Sequence, residues 1–146
     1  MAKKVLVLYY SQTGNTEEMA KAVAEGVSAV EGTEVTLKVP SEAVGDDIVN
    51  YDAIAFGSPT YSAYMAGALK DFFDRNLMSL VGKVAGKPYV AFGSTGFGGD
   101  DAMTGINRIC GTMGLNKVAD PVVATLKPSD DVLNQCKELG KKIASS

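Results

Sequence analysis

Three hydroxyl side chains stand close together near the start of the chain, Ser11, Thr13 and Thr16, in the stretch Ser11-Gln12-Thr13-Gly14-Asn15-Thr16. An apolar run, Val5-Leu6-Val7-Leu8-Tyr9-Tyr10, precedes them, and an amphipathic run from Met19 to Val30 follows. The pattern predicts a buried strand, a hydroxyl-bearing turn and a helix. A helix start leaves backbone N–H groups unpaired and carries a partial positive charge, so it suits an anion. Gly14 lets the backbone close on a ligand with no Cβ in the way. The turn contains no Lys or Arg. A phosphate held here would be held by dipoles and neutral donors.

That absence separates this turn from other phosphate loops. A nucleoside-triphosphate loop reads G-x-x-x-x-G-K-[ST], and a dinucleotide loop reads G-x-G-x-x-G. Neither occurs here, and a single terminal phosphate, as on a mononucleotide, fits better. The competing reading is a connection that only caps the following helix, because capping uses the same residue types.

The rest of the composition narrows the chemistry. No histidine occurs among the 146 residues, which removes Ser-His-Asp and Cys-His catalysis and the usual zinc sites. No catalytic side chain and no metal site is expected, and any redox chemistry must come from a bound cofactor. The acidic pairs Asp46-Asp47, Asp100-Asp101 and Asp130-Asp131 fall at turns and helix starts, where Asp is favoured, and are read as solvated. Cys110 and Cys136 lack C-x-x-C spacing and are read as buried, reduced thiols of a cytoplasmic protein. The net charge of −3 and pI of about 4.9 argue against nucleic acid and anionic membranes. Neither a signal peptide nor a membrane-length apolar run is present, so no membrane insertion is expected.

The elements that must position the turn alternate along the chain. Glu34–Val39, Asp52–Gly57, Pro88–Gly93 and Val118–Leu126 read as further strands, the last interrupted at Pro121. Met65, Leu69, Phe72 and Phe73 fall at helical spacing, as do Ile106, Ile109, Cys110 and Met113. A last helix opens at Ser129 as N-cap, with Leu133, Cys136, Leu139 and Ile143 inward. Length gives one domain, 1–146. Alternating strands and helices give an α/β fold, a parallel sheet covered on both faces. Ligands of such sheets bind beyond the carboxyl ends of the strands.

Three loops leave strands at that end: Ser11–Thr16, Ser58–Met65 and Ser94–Gly99. The second offers Pro59, Thr60, Tyr61, Ser62, Tyr64 and Met65; the third offers Ser94, Thr95, Gly96, Phe97 and Gly98. Together they could grip a flat ring between apolar or aromatic faces. With the phosphate cradle, the ligand has a planar head and a monophosphate tail, the shape of FMN. The competing reading of each of Tyr61, Tyr64 and Phe97 is ordinary packing.

Three motifs together resemble the flavodoxin family: Ser-x-Thr-Gly-Asn-Thr after the first strand, Gly-Ser-Pro-Thr-Tyr after the third, and Gly-Ser-Thr-Gly-x-Gly after the fourth. The resemblance covers nearly the whole chain and is to the short-chain type. It implies a flavodoxin-like doubly wound five-stranded parallel sheet in the order 2-1-3-4-5, with helices on both faces, and non-covalent FMN. It implies that Ser11, Gln12, Thr13, Gly14, Asn15 and Thr16 hold the phosphate. Pro59, Thr60, Tyr61 and the Ser94–Gly98 loop would border the ring. The chain has no Trp to stack on the flavin, leaving Tyr61, Tyr64 or Met65 for that role. Ser62-Ala63 stands where many members have a glycine whose peptide turns to meet the flavin N5. Without glycine, left-handed backbone is disfavoured there.

The function implied is low-potential electron transfer between a reductase and an acceptor protein, by a monomer that docks through complementary charge. The alternative is a flavodoxin-like NAD(P)H:quinone reductase, which uses the same loops. A response-regulator receiver shares the plan but needs acidic residues where this chain has Tyr9-Tyr10-Ser11 and Phe56-Gly57-Ser58. A flavodoxin fold without FMN is the remaining rival.

Overall fold

Unbroken apolar sequence suits a strand covered on both faces, and Val5 to Leu8 are fully buried in the centre of the sheet. The computed structural model describes residues 2–146. Its elements run β1 (Lys3–Tyr9), α1 (Asn15–Ser28), β2 (Thr33–Lys38), α2 (Gly45–Asn50), β3 (Ala53–Gly57), β4 (Thr60–Tyr61), β5 (Tyr64–Met65), α3 (Gly67–Leu80), β6 (Pro88–Thr95), α4 (Asp101–Met113), β7 (Asn116–Lys117), β8 (Val122–Thr125) and α5 (Asp130–Ala144).

β1 pairs in parallel with β2 on one side and β3 on the other, and β3 pairs with β6. The last position in the sheet is filled twice. β7 pairs with Pro88 and Tyr89 at the start of β6, and β8 pairs with Phe92 to Thr95 at its end. The expected fifth strand is thus two short ones, with Pro121, which has no N–H to give the ladder, just ahead of β8. The order of the five positions is the one expected, 2-1-3-4-5.

Side-chain alternation along β1 divides the core. Leu6 and Leu8 join α3 and α4 through Leu69, Phe72, Phe73, Ile106 and Cys110. Val5, Val7 and Tyr9 join α1 and α5 through Met19, Val23, Val27, Cys136, Leu139 and Ile143. Both thiols are buried and unpaired. Burial pushes Cys136 up to about 12 and Cys110 well above its ordinary value, so both stay protonated at neutral pH. Asp47 departs from the solvated reading. It is buried: one carboxylate oxygen accepts the Val44 N–H at 2.9 Å and the other meets Lys38 Nζ at 3.1 Å. Among the described residues no helix is long and apolar enough to cross a membrane.

The α1–α5 contact is unusually close. A Cβ on Gly26 would lie 1.9 Å from the Lys137 carbonyl oxygen, and one on Gly140 would lie 2.1 Å from that of Val23. Two helix backbones touch where these glycines face them, and any side chain would force the helices apart. Gly26→Ala or Gly140→Ala is expected to lower the unfolding free energy by about 2–3 kcal/mol, measured by urea denaturation. A loss below about 0.5 kcal/mol would show that the helices separate freely.

Candidate functional site

The carboxyl ends of β1, β3, β6 and β8 deliver four connections to one edge of the sheet. The first is the hydroxyl turn. Tyr10 N–H donates to the Gly57 carbonyl at 3.1 Å, tying the end of β1 to β3. Gly14 N–H donates to Ser11 Oγ at 3.2 Å and closes the turn. Gly14 has φ of 101°, a left-handed conformation that a Cβ disfavours. The Gly14 carbonyl takes the Glu18 N–H at 3.0 Å, starting α1. The amides of Asn15, Thr16 and Glu17 therefore lie at the helix start, where no preceding turn supplies an acceptor.

Thr16 and Ser94 are both buried, and their hydroxyls are 2.9 Å apart. This bond joins the first helix to the end of β6. Beyond it, Thr95 Oγ1 donates to the Gly98 carbonyl at 3.0 Å, closing the glycine loop.

The second connection is a hairpin, which the spacing of its residues did not announce. β4 and β5 pair antiparallel, Thr60 with Met65 and Tyr61 with Tyr64, around a two-residue turn. Ser62 and Ala63 have φ of 49° and 62°. Left-handed backbone at both central positions marks the tight hairpin turn usually made by Asn-Gly. The expectation that non-glycine residues would avoid this geometry is overturned, because the hairpin is clamped from outside. Ser58 Oγ donates to the Pro59 carbonyl at 2.7 Å and accepts the Ala66 N–H at 2.8 Å. Thr60 Oγ1 accepts the Ala102 N–H at 3.2 Å from the start of α4. Tyr64 lies over Gly105 of α4, where a Cβ would come within 2.6 Å of its ring.

These connections enclose a cavity of about 380 Å³. Of the residues singled out in the sequence, Ser11, Gln12, Thr13, Asn15, Thr16, Pro59, Thr60, Tyr61, Ser94, Thr95 and Gly96 line it. Gly14, Ser62, Tyr64, Phe97 and Gly98 do not. Gly14 shapes the turn from behind, Ser62 and Tyr64 belong to the outer hairpin, and Phe97 is fully exposed on the glycine loop. Tyr61 stands edge-on to Tyr10 with ring centres 6.4 Å apart. Burial and Tyr10 raise the Tyr61 phenol, with the Gln12 amide pulling the other way, so the hydroxyl stays neutral beside the turn. Leu126, on the connection from β8 to α5, also lines the cavity, and sequence reasoning missed it.

No charged side chain lines the cavity. One end offers hydroxyls and the amides of a helix start; the other offers Pro59, Tyr61 and Leu126. That donor set fits a phosphate tail joined to a flat organic head. A family model described as flavodoxin matches residues 7–140. The chain belongs to the flavodoxin family.

Its relatives agree in length as well as in sequence. A flavodoxin of Aquifex aeolicus is 36% identical, over 97% of this chain and 85% of that one. A flavodoxin from the domain Archaea superposes with a TM-score of 0.85 at 33% identity, covering 97% of this chain and 96% of the other. A flavodoxin, WrbA-like protein from Agrobacterium tumefaciens shares the fold, with a TM-score of 0.80 at 24% identity over 99% and 96% of the two chains. Flavodoxins bind FMN and transfer electrons to redox partner proteins, and the uncharged cavity described above is consistent with that cofactor.

The strain in the hairpin turn has a measurable size. A left-handed residue with a Cβ costs about 1–2 kcal/mol. Ala63→Gly is expected to stabilise the protein by about 1 kcal/mol, after subtracting the greater freedom of glycine in the unfolded chain. Chemical denaturation checks this, and a destabilised variant would mean that the turn is not held in the left-handed form.

Proposed function

We propose that the phosphate of FMN is held by Ser11, Gln12, Thr13, Gly14, Asn15 and Thr16, and that its ring is bordered by Pro59, Thr60, Tyr61 and the Ser94–Gly98 loop. The observation that carries this reading is the cavity that joins the start of α1 to the hairpin and the glycine loop, with no charged side chain in its lining. FMN, when bound, supplies the storage and release of electrons, and no side chain of the chain acts as acid, base or nucleophile. The chain's own residues bind, orient and shield. The start of α1 and the hydroxyls of Ser11, Thr13 and Thr16 meet the phosphate oxygens. Tyr61 and Pro59 present an apolar wall, and the hairpin clamp at Ser58 keeps that wall in place.

The electrostatics support a low-potential carrier that docks on basic partner surfaces. The first turn of α1 carries Glu17 and Glu18, that of α4 carries Asp101, and that of α5 carries Asp130 and Asp131. All three helices start at the edge of the sheet where the cavity lies, so these carboxylates outnumber Lys127 there, while Lys141 and Lys142 lie at the far end of α5. Negative charge there disfavours adding an electron to a bound cofactor and attracts cationic partners. We read the chain as a single domain over residues 1–146, acting as a monomer in the cytoplasm. The net charge of −3 and the two buried free thiols support that reading.

Three measurements test it. Thr13→Val removes one hydroxyl from the cradle and leaves the Thr16–Ser94 bond intact; it is expected to weaken FMN by about tenfold, as loss of a hydrogen bond to a charged group would. Riboflavin, which has no phosphate, should bind equally to both proteins, and equal weakening of both flavins would remove Thr13 from the phosphate site. Absorbance during stepwise reduction of the FMN-loaded protein is expected to resolve two one-electron steps. NADPH should be consumed with a quinone only after a reductase is added; rapid unaided turnover would make the protein a reductase in its own right.

A further inference from the structure

We propose that Leu126 is a cofactor-contacting residue that covers the organic part of FMN, away from the phosphate, from the layer opposite the β4–β5 hairpin. The inference rests on the FMN reading above and adds a fourth connection to the three that the motifs identify.

Leu126 lies on the connection from β8 to α5, and α5 packs with α1 on one face of the sheet. The hairpin leads into α3 on the other face and packs on α4. Leu126 and Thr60-Tyr61 nevertheless line one cavity. A molecule filling that cavity is therefore walled from both layers, by the hairpin on one side and by a single leucine on the other.

Leucine is a poor residue for this position on structural grounds alone. Its φ is 60°, so it is one of three non-glycine residues in the left-handed region among those described. The geometry has a cause. Leu126 N–H donates to the Thr95 carbonyl at 2.8 Å, carrying the β6–β8 ladder one step past the Thr95–Thr125 pair. Pro128 then disfavours helical backbone at Lys127, and the chain must reach Ser129, whose Oγ caps α5 by accepting the Val132 N–H. One left-handed residue makes that reversal, and glycine or asparagine would make it with less strain. The side chain gains nothing from the fold in return. It is 61% exposed and belongs to neither hydrophobic cluster.

The other two left-handed residues, Ser62 and Ala63, carry small side chains and lie outside the cavity lining. Leu126 alone combines a strained backbone, a large exposed apolar side chain and a place in the cavity wall. Strain and exposure together at one residue point to a ligand that covers it. Apart from Pro59 and Tyr61, which lie just before and on the hairpin, Leu126 is the only large apolar side chain in the lining. The carbon framework of a flavin is a suitable surface for its two methyl groups.

The experiment compares L126G, L126A and L126M with the parent chain by fluorescence-quenching titration of FMN and of riboflavin, with urea unfolding of each flavin-free protein alongside. L126G relieves the strain while removing the side chain. It is expected to be at least as stable as the parent yet to bind FMN about tenfold more weakly. Riboflavin should weaken by the same factor, because the lost contact is not to the phosphate. L126A, which keeps the strain, should show the same loss of affinity, and L126M should restore most of it. FMN affinity within about twofold of the parent in L126G and L126A would overturn the proposal. So would a loss confined to FMN, which would place the effect in the phosphate turn. A parent chain that binds neither flavin would defeat the FMN reading itself, before any variant is compared.

Discussion

The proposed site would have to hold a doubly charged phosphate in a pocket whose lining has no cationic side chain, and that constraint orders the rest of the structure. Dipoles act only at short range and only when aimed, so the backbone of Ser11–Thr16 must be rigid before a ligand arrives. Gly14 permits the turn, Ser11 closes it, and the Thr16–Ser94 hydroxyl bond fixes its far side to β6. Each of these contacts replaces something that a lysine would have supplied by reach and charge. A phosphate site built this way would depend on geometry more than on ionic strength.

The same demand for fixed geometry explains where strain is tolerated. Ser62 and Ala63 sit in a conformation that glycine would occupy at lower energy, and they stay there because Ser58, Thr60 and the Tyr64–Gly105 contact hold the hairpin at its base and along its flank. A turn determined by its surroundings more than by its own residues keeps one orientation. At Leu126 the surroundings again dictate the backbone, through the bond to Thr95 and the proline that follows.

Much of this was legible in the sequence, for identifiable reasons. The hydroxyl turn between β1 and α1 declares itself because hydroxyls, a glycine and a strand-to-helix change in periodicity coincide within a few residues. Alternating elements give the parallel sheet, the resemblance to the flavodoxin family gives its order, and Pro121 marks the break in the last strand. The hairpin was not legible, since Ser-Ala carries no turn signal and its geometry comes from partners distant in sequence. Leu126 was hidden for the same reason: a left-handed leucine looks like any strand residue until the chain is folded. Asp47 reads as a surface carboxylate beside Asp46, yet it caps the backbone at Val44 and pairs with Lys38, which only the folded path of the β2–α2 connection brings near.

The two facing glycines of α1 and α5 have a consequence for biosynthesis. α1 carries the hydroxyl turn at its leading end, and its seat on the sheet is completed by backbone contact with residues 137 and 140, more than a hundred positions further along. A nascent polypeptide emerging from the ribosome therefore exposes residues 11–16 long before they have that support. The turn gains its footing against α5 only once residues 137 and 140 have been made.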